Sequence, residues 1–306
     1  DVVVTTNLVC RLLLEKKKLE IDYLGYNSAA SGFDRLDWNS AVDFEGDGEF
    51  ETLDPGAILT DPVDLAIEFE SGLHFVVRGS VTGTGGSGTE LLSAGPVSIR
   101  GTAEFALSRW TLDVDTDGNG STDLVDAELD TIALSSSGMG VVVDGVADLT
   151  VSGDLGLARI SVDGTARYTG LTLGDVVVTT NVVTEGFGLT GDLEIDYLGY
   201  NSAAATYDRL DWNSAVDFEG DGEFETLDPG AILTDPVDLS IDFESGLHFV
   251  VRGSVTGTGD EEELLVAGPV SIRGTAEFAL SRWTLDVDTD GNGSTDLVDA
   301  ELDTIA

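Results

Sequence analysis

The sequence has little cysteine, histidine or positive charge. Its one cysteine, Cys10, cannot form an intrachain disulfide, so a disulfide scaffold and a cysteine-based zinc site are both excluded. Only 14 basic residues accompany 58 acidic ones, and the formal net charge is −44. We expect no nucleic acid partner, because few side chains can neutralise phosphates. No apolar run has the length of a membrane span, so we also expect no membrane insertion.

The sequence does contain enough apolar residues to fold. Hydrophobic residues make up 42% of the chain and alternate regularly with polar ones, a pattern that argues against disorder despite the charge. The excess of carboxylates repels itself in a compact state, so bound divalent cations or high salt would stabilise the fold.

The chain consists of two copies of one unit. Residues 1–7 recur at 175–181, and residues 34–85 recur almost unchanged at 208–259. Residues 95–133 return at 268–306, whereas 134–174 occur once. We predict a first β-rich unit at 1–174 and an incomplete second copy at 175–306. Each copy has the length of a domain, so we expect each to bury its own core.

One block departs from this repetition. Residues 8–18 read LVCRLLLEKKK, where the second copy has VVTEGFGLTGD, and they contain every lysine in the chain. Ordinary divergence would scatter the differences between copies. We interpret 8–18 as an anomalous block and assign no function to its lysines or to Cys10.

The apolar pattern predicts β-structure along most of the chain. Leu65, Ile67 and Phe69 alternate with polar residues, as expected for a strand with one buried face. Asp163 and Gly164 separate two such runs and predict a tight hairpin. Turn residues recur about every 10 positions, which favours an all-β fold of antiparallel β-sandwich or meander units in tandem. Residues 122–129 are compatible with a short helix or a strand.

Two acidic loops in each copy are candidate metal sites. The segment that begins at Asp115 has the ligand spacing of an EF-hand calcium loop, and a glycine relieves the tight turn so that alternate oxygens converge on one ion. Its predicted ligands are Asp115, Asp117, Asn119, the carbonyl of Ser121, Asp123 and Asp126. The second copy repeats them as Asp288, Asp290, Asn292, Ser294, Asp296 and Asp299.

These loops resemble the calcium loops of dockerins and related extracellular EF-hand-like modules, which also have Asp at the last position. The resemblance covers about 12 residues per loop and implies bound Ca²⁺. Two features depart from it. Thr122 occupies a position that is usually aliphatic, and no clear incoming helix precedes Asp115. A calcium loop on a β-scaffold, in an extracellular surface or fibre protein with tandem repeats, is therefore the closer analogy.

The second candidate loop begins at Asp43 and has the same spacing. Its predicted ligands are Asp43, Glu45, Asp47, the carbonyl of Glu49, Glu51 and Asp54, with the counterparts Asp217, Glu219, Asp221, Glu223, Glu225 and Asp228. Glu at the third position is less usual than Asp, because its longer side chain crowds the turn. The alternative is a plain acidic hairpin without metal.

The sequence gives little support for catalysis. His74 and its equivalent His248 lie on an apparent strand, where a structural histidine is more common than a general base. Acidic residues are so abundant that any carboxylate pair is uninformative. We predict a non-enzymatic structural protein, such as a filament, a surface-layer component or an adhesin stalk, that self-associates through neighbouring units or chains.

A carbohydrate-binding module of a secreted protein is the alternative, with glycans as partners and Trp38 as the candidate stacking residue. A secreted hydrolase is a third class. Weak calcium sites fill at the calcium concentrations found outside cells, which favours an extracellular or cell-surface location. An acidic, lysine-poor composition would equally suit a saline cytoplasm.

Overall fold

The described part of the chain is almost entirely β-structure. The computed structural model describes residues 17–44, 46–83, 90–94, 97–143, 147–183, 188–189, 191–218, 221–257, 263–267 and 270–306. Within these ranges every strand pairing is antiparallel. The predicted all-β, antiparallel fold class is confirmed, whereas the block 8–18 lies almost wholly outside the described residues.

Sixteen strands and three short 3₁₀ helices make up the described regular structure. The strands before residue 144 are β1 (Lys17–Tyr26), β2 (Leu73–Gly83), β3 (Glu90–Ala94), β4 (Val97–Arg100), β5 (Thr102–Val114) and β6 (Leu124–Val143). Next come β7 (Ala147–Val162), β8 (Thr165–Val183), β9 (Gly188–Leu189), β10 (Gly191–Ala203) and β11 (Val216–Asp217). The last are β12 (Leu247–Gly257), β13 (Glu263–Ala267), β14 (Val270–Arg273), β15 (Thr275–Val287) and β16 (Leu297–Ile305). The 3₁₀ helices are Pro55–Ile58, Trp212–Ser214 and Pro229–Ile232.

One continuous sheet runs through both copies. It has 13 strands, and its main path follows the order β1-β2-β5-β6-β7-β8-β10-β12-β15-β16. Strand β8 crosses from residue 174 to 175, the predicted boundary between the copies, and pairs with β7 on one side and β10 on the other. The two copies are therefore joined edge to edge by main-chain hydrogen bonds.

Two local sequence signals correspond to the observed backbone. The turn between β7 and β8 has positive φ angles at both Asp163 (51°) and Gly164 (71°), as a two-residue hairpin requires. Of the two alternatives for residues 122–129, the strand is correct: β6 begins at Leu124, which pairs with Val114 of β5.

Each copy carries a long, irregular segment between two strands of the sheet. We call residues 27–72, between β1 and β2, the first loop layer, and residues 204–246, between β10 and β12, the second loop layer. Trp212 lies in the core of the second layer and donates its indole N–H to Oδ1 of Asn201, 3.1 Å away. Trp38 makes the equivalent bond to Asn27. Both layers thus fold around the same internal contacts.

The largest core of the described residues lies between the copies. The second loop layer supplies Leu210, Trp212, Val216, Leu227, Ile241 and Phe243 to it. The opposing surface consists of residues on β5 to β8, including Leu129, Ile160 and Tyr168. The expectation that each copy buries its own core is therefore wrong. A repeat of domain length sets no requirement that its apolar faces meet each other, and here the loop layer of the second copy packs against the sheet of the first.

An ion-pair network crosses three strands in the middle of the sheet. Arg109 on β5 donates two hydrogen bonds to the Asp130 carboxylate on β6, at 2.6 and 3.0 Å, and Arg159 on β7 donates a third at 2.9 Å. Burial raises the pKa of Asp130, but the hydrogen bonds from Arg109 and then Arg159 outweigh it, so that this pKa lies below its ordinary value. The second copy has only the Arg282–Asp303 pair at this place among its described residues.

Candidate metal centres

Four groups of three carboxylates converge in the described structure, one in each predicted loop. In each group, one carboxylate oxygen per residue lies within 4.8 Å of the other two. The groups are Asp115, Asp117 and Asp123; Asp288, Asp290 and Asp296; Asp43, Asp47 and Glu51; and Asp217, Asp221 and Glu225. Each group can hold a metal ion, and the same loop geometry occurs in both copies.

In the Asp115 loop, the first carboxylate organises the turn. Asp115 is almost fully buried, and its Oδ1 accepts hydrogen bonds from the backbone N–H groups of Asp117, Gly118 and Asn119 at 2.9 to 3.3 Å. Its Oδ2 accepts from the Gly120 N–H at 2.6 Å. Gly118 and Gly120 both have positive φ angles, which glycine adopts without strain, so the backbone can wrap around this carboxylate.

The third carboxylate of this loop is fixed from the opposite side. Asp123 Oδ2 accepts hydrogen bonds from the hydroxyl of Thr116 at 2.6 Å and from its backbone N–H at 2.8 Å. The hydroxyl and then the N–H lower the pKa of Asp123, and Thr289 has the same effect on Asp296. The backbone N–H of Gly293 is the main cause that lowers the pKa of Asp288. These carboxylates are therefore held in their charged form, the form that binds a cation.

The Asp217 loop uses a different set of positions. Asp217 is also almost fully buried and accepts from the Gly222 N–H at 2.9 Å, while the Glu225 carboxylate accepts from the Phe218 N–H at 3.2 Å. The converging residues are the first, fifth and ninth of the loop, whereas in the Asp115 loop they are the first, third and ninth. At the ninth position, the Asp217 loop has the longer Glu225 and the Asp115 loop has the shorter Asp123, and each carboxylate lies close to the other two of its group.

The structure does not bring the last predicted ligand of either loop into its group. Asp126 belongs to strand β6, has a φ of 56° and lines a surface cavity together with Arg35. An EF-hand loop leads into a helix that turns its last ligand back to the ion, whereas this loop leads into a paired strand. Asp299 has the same conformation in the second copy, with a φ of 55°.

Asp54 has a different function at the end of its loop. Its Oδ1 accepts from the N–H groups of Gly56 at 2.8 Å and Leu65 at 3.0 Å, so it caps the 3₁₀ helix Pro55–Ile58. Asp228 does the same for Gly230 and Leu239. Both aspartates stabilise the fold of their loop layer and lie outside the converging groups.

The other predicted ligands are exposed or lie outside the described residues. Asn119, Ser121, Asn292 and Ser294 are exposed in the same turns as the converging carboxylates. Glu49 and Glu223 are exposed as well, and each donates its backbone N–H to the preceding aspartate of its group. Glu45 and Glu219 fall outside the described residues.

Loops from different copies lie side by side, which the sequence pattern did not reveal. Strand β11, at the start of the Asp217 loop, pairs with β5, where Asp217 lies opposite Asp113. The Asp115 N–H donates to the Ala215 carbonyl at 3.0 Å. Asp211 also lies beside the Asp115 loop: a methyl group at Gly118 would be 4.0 Å from its Oδ2. The spacing within each loop can be read from the sequence. Only the fold brings Asp113 next to the Asp217 loop and Asp211 next to the Asp115 loop.

The observed spacing fits a hard cation that binds oxygen. Calcium binds oxygen atoms at about 2.3–2.6 Å, so two ligands on opposite sides of one ion lie up to about 5 Å apart. In each group the three carboxylate oxygens lie within 4.8 Å of one another, so all three can contact one ion. Three carboxylates this close repel one another, and a bound cation removes the repulsion. The aspartates and glutamates of each group would hold the ion, whose charge would stabilise the turn.

The histidines and tryptophans have structural contacts. His74 Nε2 lies 2.6 Å from the Thr111 hydroxyl, His248 makes the equivalent contact with Thr284, and burial lowers the pKa of both imidazoles. Trp212 is fully buried and so presents no ring face to a sugar, while its equivalent Trp38 is half-buried.

Comparison with known proteins yields one short match. A family model with the description SecD/SecF GG Motif matches residues 230–254, which run from the 3₁₀ helix Pro229–Ile232 into strand β12. No curated protein and no solved structure matches the chain. Among the described residues, no helix has the length and apolar character needed to cross a membrane. The chain is thus similar to a known family over a small part of its length.

Proposed function

We propose that this chain is an extracellular structural protein whose tandem units are held together end to end and stabilised by Ca²⁺. It would serve in a filament, a surface layer or an adhesin stalk. The observation that supports this proposal is the joint between the copies, where the second loop layer covers β5 to β8 and adjoins the Asp115 loop.

The joint has the features of a permanent connection. Its centre is apolar, with Val114, Val216, Leu129 and Ile160 fully buried, and the sheet continues through it without interruption. Burial of this kind is the main favourable contribution to association between protein surfaces. A repeat whose copies share a core transmits force and position along the chain, as a structural array requires.

The acidic loops give the joint its expected dependence on calcium. Two almost fully buried carboxylates, Asp115 and Asp217, lie at the start of adjacent loops from different copies. Each buried charge is costly unless it is compensated, and a cation in each group compensates it. Loops of this kind fill at the near-millimolar calcium outside cells, which supports the extracellular location.

The proposal is tested by thermal and urea unfolding of the full chain with calcium and with a chelator. At a free calcium concentration 100 times the dissociation constant, each filled site adds about 2.7 kcal/mol to the free energy of unfolding. We expect a clearly higher melting temperature with calcium, and a smaller effect with magnesium, which dehydrates reluctantly. Equal melting temperatures with calcium and chelator would refute the proposal.

Two substitutions in one loop separate site binding from general charge effects. Asp117→Asn removes an exposed carboxylate from a converging group, whereas Asp126→Asn removes the same charge from a residue outside it. Isothermal titration should show one calcium fewer for Asp117→Asn and an unchanged stoichiometry for Asp126→Asn. An equal loss in both variants would show that calcium responds to net charge alone.

A further inference from the structure

The two loop layers have nearly the same sequence but different exposure. Leu239 of the second layer is 1% exposed, and its equivalent Leu65 in the first layer is 53% exposed. Leu233 and Leu59 differ in the same way, as do Leu210 and Leu36. The second layer is buried because it covers the preceding copy, so the first layer presents the same docking surface uncovered.

The complementary surface is also present twice. Leu129 on β6 is completely buried under the second loop layer, whereas its equivalent Leu302 on β16 is 46% exposed. Val287 on β15, the equivalent of the fully buried Val114, is only half-buried as well. The face of β15 and β16 is therefore the same receptor surface as the face of β5 and β6, again uncovered.

We propose that the first loop layer of one chain binds the β15–β16 face of a second copy of this chain. The contact repeats the part of the internal joint that the second loop layer makes with β5 and β6, with equivalent residues on both sides. This inference rests on the structural-array part of the proposed function and does not depend on bound calcium. It names the partner, a second copy, and the two surfaces that meet.

The geometry of the contact predicts an open assembly. The two surfaces differ from each other and lie in different copies, so the interface is heterologous, and every added chain leaves one surface of each kind free. Among the described strands, β1 and β16 are the two ends of the main sheet, and β10, the equivalent of β1, pairs with β8 in the internal joint. Apolar faces next to unpaired strand edges favour association of this kind.

The contact between chains is expected to be weaker than the internal joint. Strands β7 and β8 contribute Ala158, Ile160 and Tyr168 to the internal core, whereas the proposed contact uses the face of β15 and β16 alone. A smaller buried surface and repulsion between two acidic chains both lower the affinity. Association should therefore depend on chain concentration and increase with salt.

Sedimentation velocity of the full chain tests the inference. We expect the mean mass to rise past that of a dimer across roughly a hundredfold range of concentration, both with calcium and with a chelator. A chain that stays monomeric at every concentration and salt level refutes the inference. If such a monomer melts at a higher temperature with calcium, the calcium proposal stands and only the association is refuted. If the chain associates but calcium has no effect on its melting, the association stands and the calcium proposal is refuted.

Variants at the two surfaces test the head-to-tail arrangement. Leu65→Asp places a charge in the loop layer, Leu302→Asp places one on the β15–β16 face, and each variant keeps the other surface intact. We expect each variant alone to be monomeric, with association weakened at least tenfold, and an equimolar mixture to form a dimer that grows no further. A mixture without dimers, or either variant associating like the parent chain, contradicts the proposal.

Val125→Asp is the matched control. Val125 is 68% exposed and its equivalent Val298 is 70% exposed, so this position has the same exposure at the internal joint and at the chain end. It therefore lies outside the proposed contact, and Val125→Asp should associate like the parent chain. Loss of association in this control would show that any added charge prevents it, which would overturn the assignment of the surfaces.

Discussion

Replacing Leu239 by alanine is expected to destabilise the chain far more than the same substitution at Leu65. The two leucines have the same local surroundings: each backbone N–H donates to the capping aspartate of its loop layer at 3.0 Å. Only Leu239 packs against the neighbouring copy, in a cluster with Ala106, Ala133 and Leu233. A buried Leu→Ala change costs about 2–5 kcal/mol, because transfer free energy is lost and a cavity remains.

The half-exposed Leu65 should lose about 1 kcal/mol or less, because its side chain buries about half as much surface. The two variants should therefore differ in free energy of unfolding by about 2 kcal/mol or more. This difference measures the contribution of the joint to stability. Urea unfolding, followed by circular dichroism and by tryptophan fluorescence at low chain concentration, measures both values and checks that the transition is cooperative. Equal destabilisation by the two substitutions would show that the joint does not form in solution.

Two further pairs of variants test the sheet and the joint. Asp130→Asn should lower the free energy of unfolding by about 1 kcal/mol. Asp303→Asn should lower it by less, because the Asp303 carboxylate is exposed and binds a single arginine. Equal losses in the two variants would contradict the three-strand network. Folding lowers the pKa of Asp130. The stability that its carboxylate contributes is therefore complete above the unfolded pKa of about 3.9 and is lost as pH falls through the folded pKa. The cost of Asp130→Asn should accordingly vanish in acid. Gly170→Ala should cost about 1–3 kcal/mol, since its methyl group would lie 2.8 Å from Cγ2 of Ile241 and 3.0 Å from the Trp212 ring. Gly174→Ala on the same strand meets nothing within 4 Å and should be nearly neutral. An equally neutral Gly170→Ala would show that the second loop layer does not pack against β8 in solution.

The local signals in the sequence predicted local structure well. The Asp163–Gly164 turn joins β7 and β8 as predicted, because turn chemistry depends on neighbouring residues only. The strand predicted from the alternation of Leu65, Ile67 and Phe69 is wrong: these residues lie in the first loop layer, where Ile67 forms an isolated bridge to Leu53. The carboxylates at the first and ninth positions of each loop type lie close together, since a glycine-relieved turn brings these positions near each other whatever the surrounding fold.

Features that depend on the scaffold could not be read from spacing alone. Asp126 and Asp54 occupy the twelfth position of their loops, where an EF-hand would place a ligand on its outgoing helix. Here one loop leads into a strand and the other into a 3₁₀ helix, so Asp126 lines a surface cavity with Arg35 and Asp54 caps a helix. The ligand pattern specifies the turn, whereas the element that follows the turn decides where its last side chain points.

Repetition also conceals the most important contact. Leu65 and Leu239 have the same sequence surroundings, so no local pattern can indicate that one is exposed and the other buried. The difference arises because the second loop layer packs against strands of the first copy, whereas Leu65 remains exposed. In such an array stability is the sum of the units and their joints, so the uncovered first loop layer should open at a lower free energy than the second. The residues that are buried in the second loop layer are the residues that the first loop layer exposes, and the proposed association of chains follows from that equivalence.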